Sequence, residues 1–288
     1  MLLDCGIEPE QFDERRLFQF LENDSKNVNN GKIFSEGIFC PWMAWKSDFI
    51  EIGGHDPLFA PQSKEDSDIF NRFQLNGVKF IQTWEGFVYH MTCRGSRFNP
   101  TLTDVGKNST EWDEQNMRSA RNFIRKWGHY VRHDRMMKPI IPHYYNIGLR
   151  VKNCSADFLQ HMEPWCRNIY VDMMDTIREA YIQLEQPSTL YNLSDRVREY
   201  DDIYQYQTDS IEMYRNDILI EVDCLRLTQD DVNCIQVMPN IIVDSGIEGE
   251  DMRVENLTLH IKKILPLETK LIHCERSETA KYMETSYE

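Results

Sequence analysis

The chain has 288 residues, of which 41% are hydrophobic and 11% aromatic, enough to build one large buried core or two ordinary ones. With 47 acidic against 32 basic residues the formal net charge is −15, which repels a nucleic-acid backbone over most of the surface and argues against DNA or RNA as a partner. No apolar run approaches the roughly 20 residues of a membrane span, and the N-terminus lacks the basic and apolar regions of a signal peptide.

The eight cysteines contain no C-x-x-C pair, so they read as small buried side chains in a reducing compartment, and the cytoplasm is the expected location. On that reading the Asn-x-Ser/Thr triplets at Asn108, Asn153, Asn192 and Asn256 are chance occurrences. A change in character near residue 135 divides the chain into residues 1–135, a proline-containing linker at 136–144, and an α+β unit at 145–288.

In the first part, Asp13 is placed to cap a short helix ending near Glu22, with Phe12 and Leu17 spaced as a hydrophobic staple. A polar loop follows to Lys32, and Ile33 to Trp45 is apolar enough for a strand or core wall. Gly53-Gly54 marks a turn closed to residues with a Cβ, with Asp56 and Phe59 at its rim. Glu65-Asp-Ser-Asp68 opens a helix whose apolar contacts are Ile69, Phe70, Phe73 and Leu75. Acidic residues are stabilised in a first helical turn by the helix dipole, so this cluster has an ordinary structural explanation.

The chemical alternative is a general base. A carboxylate at a cleft-facing helix start takes the proton from a hydroxyl as its oxygen attacks a sugar carbon, and Asp66 is the candidate. Glu65 and Asp68 would bind acceptor hydroxyls or hold Arg72, four residues beyond Asp68. Trp42 and Trp45 offer flat faces to sugar rings, with core packing the equal alternative. His90, at the end of a strand-like stretch, would add a ligand to a divalent-metal site, and Arg94 and Arg97 would grip a diphosphate. From Ser109 an apolar stripe through Phe123 and Trp127 predicts a helix ending near His133.

In the second part, Ile147–Val151, Ser155–Met162 and Asn168–Asp172 align with Ile218–Val222, Thr228–Val232 and Asn240–Asp244 at an offset of about 72 residues. Each copy reads as strand, capped helix, strand. The expected fold is therefore a duplicated β-α-β unit of ferredoxin-like type, with Leu257, Leu259 and Ile261 as a further strand. Asp172 and Asp244 at strand ends read as turn carboxylates.

Phe39 to Arg97 resembles the C-terminal half of GT-A fold glycosyltransferases, particularly family 2 and the galactosyltransferase C-terminal segment. Glu65-Asp-Ser-Asp-Ile-Phe-Asn-Arg72 is similar to the galactosyltransferase E-D-D-D-I-F-N-R signature, and Trp42-Met-Ala-Trp-Lys with Ile52-Gly-Gly54 to the family 2 pattern ahead of a G-G-F-D turn. The resemblance implies an α/β fold for the first part, in which Asp66 is the base and Glu65 its acceptor-binding neighbour. Trp42, Trp45, Gly54 and Asp68 would lie on the acceptor side, His90 would be a Mn²⁺ or Mg²⁺ ligand, and Arg94 and Arg97 would face the donor diphosphate.

It further implies an inverting, metal-dependent hexosyltransferase using a nucleotide-sugar donor, UDP-linked by expectation, and a glycan or other hydroxyl acceptor. No D-x-D motif precedes Ile33, so the donor half is expected from a separate polypeptide or a longer chain. His55 stands where family 2 has Phe, and Lys64 where galactosyltransferases have Gly. A different class of function is a non-catalytic glycan- or protein-binding module built on Trp42, Trp45 and Trp84. A two-carboxylate hydrolase is disfavoured because adjacent helical residues such as Glu65 and Asp66 point about 100° apart.

Overall fold

The computed structural model describes residues 3–6, 9–23, 25, 30–90, 108–201 and 216–262. The first helix, α1 (Glu14–Asn23), starts where the sequence places it, with the Asp13 carboxylate accepting the Arg16 backbone N–H at 2.9 Å. Ile33 to Trp45 is mostly irregular. Only β1 (Phe34–Ser35) pairs, antiparallel to β2 (Gln82–Thr83), and Ile33, Phe34, Phe39, Met43 and Trp45 are exposed. Trp42 and Ile38 do pack on the core formed by Ile52, Ile69, Phe70, Phe73 and Phe80.

Helix α2 (Lys46–Glu51) leads through the Gly53-Gly54 turn to α3 (Glu65–Leu75), whose first residue is the one read from the sequence. Helix α4 (Thr110–Trp127) is capped by Ser109, which accepts from the Trp112 N–H at 3.2 Å. It stops at Gly128, in the left-handed region at φ 72°, ahead of the His133 expected from its apolar stripe. Phe123 and Trp127 bury one face of α4 against Leu58 and Phe59, while Ile124 enters the core of the second part. This one helix thus belongs to both cores.

The second part is a six-stranded sheet made of β3 (Ile147–Lys152), β4 (Asn168–Val171), β5 (Val197–Glu199), β6 (Ile218–Asp223), β7 (Glu250–Val254) and β8 (Leu257–Ile261). The order across it is β5-β4-β3-β6-β8-β7. The first four are mutually parallel; β8 runs antiparallel to β6, and β7 to β8. Helices α5 (Ala156–Met162) and α6 (Asp175–Glu185) join β3, β4 and β5 in succession; α7 (Leu193–Arg196) leads into β5, and α8 (Gln229–Ser245) follows β6. The chain is therefore of α/β class.

The ferredoxin-like arrangement is not the one adopted. Asn240-Ile-Ile-Val-Asp244, β-branched and strand-like when read alone, continues α8 from its capping box at Thr228 and Asp231 to Gly246. Met238 and Ile242, four residues apart on one helical face, are both fully buried in the sheet's core, which decides helix over strand. The duplication survives as two adjacent parallel strands, β3 and β6, each followed by a capped helix.

Strand alternation sends Ile147, Leu149, Val151, Ile169, Val171, Ile218, Ile220, Val222, Leu257 and Leu259 to the helix-covered face. The opposite face is mixed: Tyr170 and Leu219 form a small buried cluster there, Arg150 meets Glu221 at 2.7 Å, and His260 Nδ1 meets Asp251 at 2.7 Å. Among the described residues no helix is long and apolar enough to cross a membrane.

Candidate functional site

The entry to α3 is held by unusual backbone. Ser63 and Lys64, neither of them glycine, both have positive φ, at 78° and 70°. Two successive residues in that region cost energy that the surroundings must offset. Ser63 Oγ donates to Asn116 Oδ1 at 2.8 Å and Lys64 Nζ to the same oxygen at 2.9 Å; Gln115 and Ser119 donate to the Gln62 carbonyl at 2.9 and 3.1 Å. Three side chains of α4, those of Gln115, Asn116 and Ser119, therefore clamp the loop and aim the first turn of α3.

That turn presents Glu65 and Asp66, both half-buried. The Cys40 thiol donates to Asp66 Oδ2 at 3.4 Å. Burial first, and then the Asp66 charge, push the Cys40 thiol up to about 11, so it stays a proton donor at neutral pH. Among the described residues Glu65 Oε2 is buried without a hydrogen-bond partner, a costly state for a carboxylate oxygen. Neither Cys40 nor Asn116 stood out in the sequence, because each acts across more than two dozen residues on a contact that only the fold creates.

Asp68 takes the structural one of its two expected roles. It is fully buried, with Arg72 Nε at 2.8 Å, Lys126 Nζ at 2.6 Å and Trp127 Nε1 at 2.9 Å. Arg72 continues to the carbonyls of Ile52 and Gly54 at 2.8 and 2.5 Å, so the Gly53-Gly54 turn is tied to α3 through this guanidinium. Gly54 is itself buried at φ 69°, with the Phe49 ring 3.1 Å from where a Cβ would stand. Asp56 caps the turn Pro57–Phe59 through the Leu58 N–H at 2.9 Å and pairs with Lys126 at 2.8 Å. Burial opposes its ionisation, but Lys126 holds the carboxyl below its usual range. Phe59 is buried in the core, away from the rim where the sequence put it.

The two tryptophans separate. Trp42 packs edge-on against Phe70 and Phe73, with ring centroids 6.0 and 5.9 Å away, whereas Trp45 is 79% exposed at the start of α2. His90 is exposed at the end of a segment whose Tyr89 hydroxyl donates to the Gly6 carbonyl at 2.7 Å; its neighbours thus lie on the N-terminal residues. Among the described residues no three His, Cys, Asp or Glu side chains converge as a metal site. Arg94 and Arg97 lie outside the described residues.

No family profile, no curated protein and no solved structure matches the chain.

Proposed function

We propose that the entry of α3 is the acceptor side of a glycosyl-transfer site, with Asp66 as general base. In this reading an acceptor hydroxyl gives its proton to Asp66 as its oxygen attacks the anomeric carbon of a nucleotide-activated sugar, and the nucleoside diphosphate leaves with the bonding pair. Glu65 Oε2 accepts a second hydroxyl of the acceptor, and the exposed Trp45 face covers a sugar ring. The observation that carries the reading is the pair Glu65 and Asp66 on a strained, clamped helix entry, one oxygen buried and unsatisfied and the other carboxylate held by a thiol donor.

Arg94 and Arg97 belong to this proposal as the diphosphate contacts, as does a donor-binding half of GT-A type, within this chain or in a second polypeptide. His90 with the described side chains does not supply the several oxygen ligands of a Mn²⁺ or Mg²⁺ site, so no step is assigned to a metal.

The test is transfer from UDP-sugars to glycan acceptors by the wild type and by Asp66→Asn. Loss of roughly 10²- to 10⁴-fold in turnover with an unchanged fold is the expected result. Normal turnover in Asp66→Asn overturns the assignment. A second reading, a glycan- or protein-binding module, is favoured by the exposure of Phe39, Met43, Trp45 and Ile50 on the same part of the chain. Calorimetric titration separates the two: a transferase binds UDP, whereas such a module binds glycan with no dependence on nucleotide.

A further inference from the structure

Asp66, Phe70 and Phe73 are spaced at i, i+4 and i+7 and so share one face of α3. Segment 37–42 runs past that face. Trp42 packs on Phe70 and Phe73, and two residues before it the Cys40 thiol donates to Asp66 Oδ2 at 3.4 Å. The other end of the segment is fastened to the linker, where the Ile38 N–H donates to the Met136 carbonyl at 3.2 Å while the Ile38 side chain packs on the same core as Trp42. Gly37 permits this approach, because a Cβ there would stand 2.5 Å from the Met136 oxygen. Cys40 is therefore held between two anchors, Ile38 and Trp42, each two residues away, and one of them docks on the same helical face as the carboxylate it touches.

The donor that reaches Asp66 is neutral. Asp68, two residues further along α3, is instead held in the interior by the full charges of Arg72 and Lys126. A cation fixes a carboxylate but also favours its ionised form, which weakens it as a base. An S–H is a weak donor, so it orients a carboxylate oxygen at a smaller cost in basicity. Burial and then the Asp66 charge push the thiol up to about 11, and the proton stays on sulfur at neutral pH.

We propose that Cys40 is the positioning residue of the general base, its S–H holding Asp66 Oδ2 so that Oδ1 is turned to the acceptor hydroxyl. The role rests on the reading of Asp66 as that base. In the transfer step the acceptor O–H bond breaks and its proton goes to Asp66 Oδ1, the acceptor oxygen bonds to the anomeric carbon, and the nucleoside diphosphate leaves with the electron pair of the broken bond. Cys40 keeps its proton throughout and forms no bond to the sugar.

The test has two arms, both on the full chain. The first needs no substrate: the rate of Cys40 alkylation by iodoacetamide at about pH 8 is followed by peptide mapping in the wild type, Asp66→Asn and Glu65→Gln. Removing the Asp66 charge should raise the rate at least about threefold, and by more than Glu65→Gln does, because Asp66 is the carboxylate that accepts the thiol proton. Equal rates in the wild type and Asp66→Asn overturn the contact. The second arm is transfer from UDP-sugars to glycan acceptors. Cys40→Ala should lower kcat by about three- to tenfold at an unchanged acceptor KM, and Cys40→Ser, which restores a donor, should recover most of the loss. Lost turnover in Asp66→Asn together with full turnover in Cys40→Ala overturns the positioning role and leaves the base in place. Full turnover in Asp66→Asn overturns the base, and this inference with it.

Discussion

Arg125 Nη2 lies 2.6 Å from Glu163 Oε2 with both side chains buried, and the contact crosses from the last turns of α4 to the turn that follows α5. Arg196 Nε reaches the other Glu163 oxygen at 2.5 Å, Arg125 also meets Glu185 at 2.6 Å, and Arg121 meets Glu185 at 2.8 Å. The helix that clamps the entry of α3 is thus fastened to the sheet by ion pairs. The apolar contact of Ile124 with the sheet's core reinforces the same join.

Glu163→Ala strands Arg125 and Arg196 in the interior without their partner and should cost about 3–5 kcal/mol in urea unfolding. The same carboxylate sets an acid limb. Burial raises its pKa, but Arg196 and Arg125 win and hold it at about 2, below the ordinary 4.5. The unfolded chain then takes up the proton first, so stability is full above about pH 4.5 and declines toward pH 2, by on the order of 3 kcal/mol. Unfolding midpoints across that window check it, and Glu163→Gln should flatten the limb.

His129 governs a separate window. Burial pushes the ring down to about 4, against the Tyr130 carbonyl that accepts from it, with Arg132 adding to the depression. A folded value below the unfolded 6.5 means stability is complete above pH 6.5 and falls as the pH drops through 4. Because the Glu163 limb begins only near pH 4.5, loss of stability between pH 6.5 and 4.5 belongs to His129 and should be absent in His129→Gln. Denaturant titrations at pH 7 and pH 5 give the comparison.

Gly148 is required by its neighbour and not by its own backbone angles. A Cβ there would stand 2.3 Å from Asn216 Oδ1. That amide is buried and shared: its oxygen accepts from Tyr170 at 3.1 Å, and its nitrogen donates to Asn146 at 2.7 Å and to Asn168 at 3.0 Å. Gly148→Ala should therefore destabilise by about 2–4 kcal/mol, because displacing Asn216 leaves buried polar groups unpaired. In a double-mutant cycle with Asn216→Ala the two costs should be clearly less than additive.

Much of the candidate site was visible as residue types and almost none of it as contacts. Glu65 and Asp66 were legible because a carboxylate cluster at a helix start is a local pattern. The same pattern includes Asp68, and nothing local distinguishes the carboxylate that faces outward from the one buried on Arg72, Lys126 and Trp127. The thiol on Asp66 comes from 26 residues away, and the amide clamping Lys64 from 52. The Trp42 and Trp45 rings, three positions apart, were indistinguishable until the core around Phe70 and Phe73 claimed one of them.

The sequence by itself determined where helices begin, since Asp13, Ser109, Ser155 and Thr228 satisfy N–H groups within three residues of themselves, but not where they end: α4 stops at Gly128 short of His133, and α8 runs on to Gly246. It also determined β3, β4 and β6 as strands and the kinship of β3 with β6. Tertiary structure alone decided that Asn240–Asp244 is helical, that β3 and β6 lie side by side in parallel, and that Asn153 reaches Asp223. Caps are contacts between residues a few positions apart, so the local pattern fixes them. Strand partners and the polar pairs between them, some 70 residues apart, are chosen by burial of the whole sheet face, and no local window contains that choice.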